Sequence, residues 1–227
     1  MDLSDNLLPC IEINPSKKPE ASVLWLHGLG ADGHDFESVA IQLAENVSLP
    51  TRFVLPHAPA LPVTVNGSMM MPAWFDIVEM ANPEKTDWTG IENTRVKIEQ
   101  LIEREIQLGI PSQNIILAGF SQGGAIALHS GLRYHQSLAG ILALSTHIAD
   151  AKDSSIPPLH LNNKNTPVLM IHGQHDPIIP LSLAKASRDM LMNMHYKIKW
   201  IEYPMMHTVC EEEINVIAYW LEKVLGR

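Results

Sequence analysis

Ser121 stands between two glycines in Gly119-Phe120-Ser121-Gln122-Gly123, and a serine so placed can act as a nucleophile. The glycines let the chain turn sharply and keep side chains clear of the hydroxyl, which then projects from the start of a helix. A serine hydroxyl is weak on its own, so it requires a base, and the base requires an orienting acid. When such a serine follows a strand, chain order should run serine, acid, histidine. Of the four aspartates after Ser121 (Asp150, Asp153, Asp176 and Asp189), only Asp176 directly follows a strongly apolar run, in His172-Gly173-Gln174-His175-Asp176-Pro177. Asp150 and Asp153 fall in a polar connection, and Asp189 falls in an expected helix. Eight histidines follow Ser121. His207 lies between the last strand-like run and the last helical one, where a short loop can carry an imidazole back over a sheet edge. His172 and His175 precede Asp176 on its own loop, which is a poor place from which to bridge it to a distant serine; one of them is expected to be structural.

Acyl transfer also needs donors for the developing oxyanion, each typically worth on the order of 3 kcal/mol of barrier stabilisation. The Gln122 backbone N–H is one candidate, and the Leu29 N–H in the glycine-rich loop His27-Gly28-Leu29-Gly30 is the other. Met69, Met70, Met71, Trp74 and Phe75 follow a proline-rich segment, and an apolar acyl pocket is one reading of them because the thioether adapts to varied chains. A core or covering loop is the other. His172, His175 and Asp176 could instead ligate a metal, but their spacing matches none of the helix-borne motifs and no further Cys/His cluster accompanies them. Neither metal nor cofactor is expected.

These residues need elements that bring them to one place. Ser22–Leu26, Thr51–Leu55, Asn114–Ala118, Gly140–Leu144, Pro167–Ile171 and Ile198–Tyr203 are short apolar runs that predict strands. Between them, Ile91, Ile98, Leu101, Ile102 and Leu108 share one side of a helix that Gly109 and Pro111 end. Gly123–Leu128 predicts the helix after Ser121, and a last helix starting near Glu211 carries Ile214, Ile217, Ala218, Leu221 and Leu225 inward. Strand alternating with helix predicts an α/β fold, a mostly parallel sheet with helices on both faces and ligands bound beyond the carboxyl ends of the strands.

The chain has 227 residues, 46% hydrophobic and 18% charged, with no repeat and no composition break, so residues 1–227 are read as a single domain. A formal net charge of -9 disfavours nucleic acid and anionic lipid surfaces as partners. No segment approaches the roughly 20 apolar residues of a membrane span. Two cysteines, Cys10 and Cys210, without an export signal are expected to be reduced, which points to a cytoplasmic protein.

Several motifs together resemble the carboxylesterase/phospholipase family of α/β-hydrolases, which includes the acyl-protein thioesterases and small bacterial esterases. They are Leu26–Gly33, Pro56-His57-Ala58-Pro59, Trp74-Phe75-Asp76, Ala118–Gly124, His172-Gly173 with Asp176-Pro177, and Tyr203-Pro204-Met205 with His207. The resemblance implies an α/β-hydrolase fold without a large cap, and cofactor-free hydrolysis of carboxylic esters, thioesters or lysophospholipids by Ser121, Asp176 and His207. It also implies Leu29 and Gln122 as oxyanion donors, and a homodimer that covers part of the active-site face. The sequence departs from the family at Met206 and Thr208, where glycine and an acidic residue are usual, and at Ser145-Thr146-His147, where a Ser-Gly-Tyr-like segment is usual. Met206 is expected to narrow the pocket or add to its apolar wall.

Overall fold

The computed structural model describes residues 7–79, 85–148 and 158–226, so Asp150 and Asp153 lie outside the described residues. In chain order it contains β1 (Cys10–Ile13), β2 (Ala21–Leu26), α1 (Glu37–Asn46), β3 (Thr51–Pro56), β4 (Ala60–Val63), β5 (Met69–Pro72), α2 (Trp88–Gln107), β6 (Ile115–Phe120), α3 (Gln122–Arg133), β7 (Gly140–Leu144), β8 (Val168–Gly173), α4 (Leu181–Asn193), β9 (Ile198–Tyr203) and α5 (Glu211–Leu225). The main sheet has the order β1-β3-β2-β6-β7-β8-β9, parallel except for β1, which runs antiparallel to β3.

Each strand inside this sheet is a near-continuous apolar run because both faces are covered. Leu24, Leu26, Leu117, Ile141 and Met170 face one layer with Ile98, Leu101 and Ile102 of α2, Ile126 and Leu132 of α3 and Leu191 of α4. Val23, Trp25, Ile116, Leu142 and Ile171 face the other, with Ala40 and Leu43 of α1 and Ile217 and Leu221 of α5. Burying such a side chain typically stabilises by about 1.5–3 kcal/mol. The edge strand β9 is only partly buried and mixes polar with apolar residues, as an edge allows.

Four elements lie outside the expected set. The strand β1 is short and pairs only with β3. The helix α1 buries just Ala40 and Leu43, too little periodicity to stand out. Helix α4 was anticipated only through the place of Asp189. Strands β4 and β5 form a separate antiparallel hairpin, so Met69–Met71 are strand residues.

Parallel register is what positions the site. Leu26 pairs with Gly119, Phe120 with Leu144 and Gly173 with Tyr203, so the loops after β2, β6, β7, β8 and β9 all leave from one edge of the sheet.

Candidate active site

Ser121 joins β6 directly to α3 with φ 54° and ψ -120°. That conformation costs a non-glycine residue on the order of 1–3 kcal/mol, so its surroundings must enforce it. A Cβ on Gly119 would come within 2.3 Å of the Gly123 backbone, and one on Gly123 within 2.4 Å of the Leu26 carbonyl oxygen. Both glycines are therefore demanded by backbone packed on backbone, and the start of α3 sits directly on the end of β2.

The loop after β9 brings His207 to this turn. His207 Nδ1 donates to Asp176 Oδ2 at 2.7 Å, which leaves Nε2 as acceptor, 2.9 Å from Ser121 Oγ. Asp176 is buried, and its second oxygen, Oδ1, accepts the Ile178 and Ile179 N–H groups at 2.8 and 2.9 Å. The carboxylate is thus fixed by its own loop and can hold the imidazole in one tautomer. Phe120 lies against the His207 ring at 4.8 Å between centroids. The remaining candidates separate cleanly. Asp189 is on α4 and pairs with Arg188. His175 is exposed, whereas His172 is buried, donates Nε2–H to the Ile179 carbonyl at 2.9 Å and stacks on Trp200. His172 is therefore the structural member of that pair.

On the other side of Ser121 lies the loop after β2. Ala58 N–H donates to His27 Nε2 at 3.1 Å, so the His27 proton sits on Nδ1 and is donated to the Gly28 carbonyl at 2.7 Å. Burial lowers the His27 pKa, which keeps this tautomer neutral. Gly30 N–H reaches the Pro72 carbonyl at 2.9 Å. Among the described residues, the Leu29 and Gln122 N–H groups have no protein acceptor.

Trp74, for which both a pocket wall and a core place are open in the sequence, is wholly buried. Its indole N–H donates to the His27 carbonyl at 2.8 Å, and its backbone N–H donates to Gln122 Oε1 at 2.9 Å. Gln122 Nε2 donates in turn to the Phe75 carbonyl at 2.8 Å. Trp74 is consequently a brace beneath the two N–H-bearing loops, because its large ring fills the gap between α2 and the sheet. The bracing role of the Gln122 side chain was not legible in the motif, nor was that of His27. Phe75 is half-buried, while Met69 and Met70 are exposed on the hairpin and Met206 is exposed beside His207. Among the described residues, the positive-φ positions other than glycine are Ser68, Ser121, Ser145 and His195. Met206 is not one of them, so the backbone there makes no demand for the glycine usual in the family, and its side chain points to solvent rather than narrowing a buried pocket.

No helix of the described chain is long and apolar enough to cross a membrane. The family model for phospholipase/carboxylesterase matches residues 9–225. Acyl-protein thioesterase 1 of Neurospora crassa is 39% identical over 215 residues, covering 91% of this chain and 88% of that protein. Acyl-protein thioesterase 1 of Gibberella zeae is 37% identical over 214 residues, covering 90% and 91%. Among solved structures, Arabidopsis thaliana SOBER1 superposes with a TM-score of 0.80 at 28% identity, covering 90% of this chain and 99% of that one. The match in sequence over nearly the whole chain, together with the α/β-hydrolase architecture, shows that this chain belongs to the phospholipase/carboxylesterase family of serine hydrolases.

Proposed function

We propose that this protein hydrolyses carboxylic esters and acyl thioesters through a covalent acyl-enzyme on Ser121. In the first half-reaction Ser121 Oγ bonds to the substrate carbonyl carbon as its proton passes to His207 Nε2, and Asp176 stabilises the resulting imidazolium. The carbonyl oxygen becomes an oxyanion that accepts the Leu29 and Gln122 N–H groups. Collapse breaks the bond to the alcohol or thiol, which leaves with the proton from His207. A water, deprotonated by His207, then attacks the acyl carbon and releases the carboxylic acid and a free Ser121.

The observation that carries this reading is the unbroken relay from buried carboxylate to imidazole to a strained serine hydroxyl, with distances of 2.7 and 2.9 Å. The thioester part extends to this chain what the names of its fungal relatives state. We assign Phe75 to the acyl side of the site, with the exposed Met70 and Met206 at its solvent rim; Trp74 contributes from beneath.

A fluorophosphonate probe tests the reading. The wild-type protein should acquire one adduct, which mass spectrometry places on Ser121, and Ser121→Ala should acquire none. A wild type left unlabelled, or a Ser121→Ala variant labelled equally well, sinks it.

A further inference from the structure

We propose that Thr146 is a positioning residue for the Ser121 turn, acting through the main-chain carbonyl of Ser121; this rests on the serine-hydrolase reading above. Both main-chain polar groups of Ser121 are taken up by residues leaving β7. The Ser121 N–H donates to the Leu144 carbonyl at 2.9 Å, and the Ser121 carbonyl accepts the Thr146 hydroxyl at 2.7 Å. Between these two residues Ser145 has a φ of 44° and donates its N–H to the Ile171 carbonyl at 2.8 Å, so the chain turns where Thr146 must face back. Thr146 is buried, and its single hydroxyl proton has one other acceptor in reach, the His147 carbonyl at 3.3 Å. The Ser121 carbonyl is the shorter partner by a wide margin.

The peptide bond that carries this carbonyl also carries the Gln122 N–H. Because a peptide unit is planar, fixing its oxygen fixes the direction of its N–H. A hydrogen bond accepted at the carbonyl also polarises the unit and strengthens the donor at its far end. Thr146 therefore sets one of the two oxyanion donors and, through the same peptide, the strained backbone of the nucleophile. The rest of the side chain fits this role. A Cβ on Gly124 would lie 2.8 Å from Thr146 Cγ2, so the methyl rests against the first turn of α3 while the hydroxyl faces the carbonyl. The Ser121 carbonyl also accepts the Ala125 N–H at 3.1 Å, so loss of the hydroxyl would loosen the peptide without leaving its oxygen unpaired.

Thr146→Val removes the hydroxyl and keeps the methyl, and Thr146→Ser does the reverse. With p-nitrophenyl butyrate, Thr146→Val should lower kcat about ten-fold with KM within about two-fold, the scale expected when an oriented group loses its aim. The second-order rate of fluorophosphonate labelling should fall in parallel. Thr146→Ser should stay within about three-fold of wild type, since it retains the donor. The pH profile of kcat/KM should keep its shape, because no titrating group is touched. If Thr146→Val does not fold, Thr146→Ala, which creates space instead of filling it, should show the same loss in kcat and labelling. Wild-type turnover and labelling in the hydroxyl-free variant overturns the positioning role alone, and so does a Thr146→Ser variant as impaired as Thr146→Val, because packing of the methyl would then explain everything. A wild-type protein inert to the probe overturns the serine-hydrolase reading, and the positioning role with it.

Discussion

Two imidazole–carboxylate pairs built from similar parts sit in different places, one at the carboxyl edge of the sheet and one between α2 and α3. At the edge, His207 donates its Nδ1–H to Asp176 and turns Nε2 toward Ser121. Between the helices, His129 uses Nε2 itself to donate to Glu92 Oε1 at 2.5 Å, and Glu92 also accepts from Arg95 at 2.7 Å. His129 is buried, and desolvation followed by the nearby Arg133 pushes its pKa down to about 4. Burial opposes ionisation of Glu92, but the bonds from His129 and Arg95 prevail and hold its pKa low. The inner pair is thus a neutral imidazole donating to a carboxylate that an arginine already neutralises. Among the described residues, no hydrogen bond joins this pair to a serine or threonine hydroxyl. In the outer pair, by contrast, the second imidazole nitrogen meets a hydroxyl, and the acid is held by backbone N–H groups instead of a cation.

Breaking the outer pair should have the largest effect. His207→Ala should lower kcat for p-nitrophenyl esters by at least about 10⁴-fold, the scale of removing a base that acts as a unit with its serine. Asp176→Asn should cost about 10³–10⁴-fold, because its carbonyl would take the Ile178 and Ile179 N–H groups and present an amide donor to His207 Nδ1, favouring the wrong tautomer. Turnover close to wild type in either variant would show that the edge pair is no more than the inner one. Circular dichroism should find both variants folded.

Breaking the inner pair should separate stability from activity. His129→Leu should lower stability by about 1–2 kcal/mol in urea unfolding, since Glu92 loses a buried donor. Its kcat/KM should stay within about three-fold of wild type. A His129→Leu protein that is stable but inactive would contradict the division of roles drawn above.

A buried acid with no imidazole beside it sharpens the comparison. Glu213, in the first turn of α5, is wholly buried, and its oxygens have no well-formed hydrogen bond among the described residues. Burial pushes its pKa from 4.5 up to about 8, with the Cys210 N–H offsetting only part of this. The folded state therefore prefers the protonated acid. Its contribution to stability is fully present below the unfolded pKa of 4.5 and is lost as pH rises through about 8. Glu213→Gln should remove that loss, so the Tm of the variant should gain on wild type by a few degrees between pH 5 and pH 9. An equal Tm difference at both pH values would show that Glu213 titrates normally.

Much of this was legible in the residues themselves. Apolar runs with continuous burial located the six parallel strands, and the rule that loops at their carboxyl ends carry the chemistry singled out Ser121, Asp176 and His207, which the fold brings within hydrogen-bond reach of one another. The hairpin of β4 and β5 was not legible, because four-residue strands with exposed methionines carry almost no periodic signal. The place of Trp74 stays open between two readings for a related reason. An aromatic residue after a proline-rich stretch reads the same whether it lines a pocket or fills a core, and its direction depends on α2 and the sheet packing around it.

By itself, the sequence determined which segments are strands, their alternation with helices and hence the parallel sheet, because hydrophobic periodicity is a local property of the chain. The tertiary structure alone decided which imidazole meets a hydroxyl and which meets an arginine-bound carboxylate. Both depend on register and on the approach of loops far apart in the chain. The two glycines around Ser121 belong to both accounts: their spacing marks the motif, but only the backbone of β2 pressed against α3 explains why no larger residue can stand there.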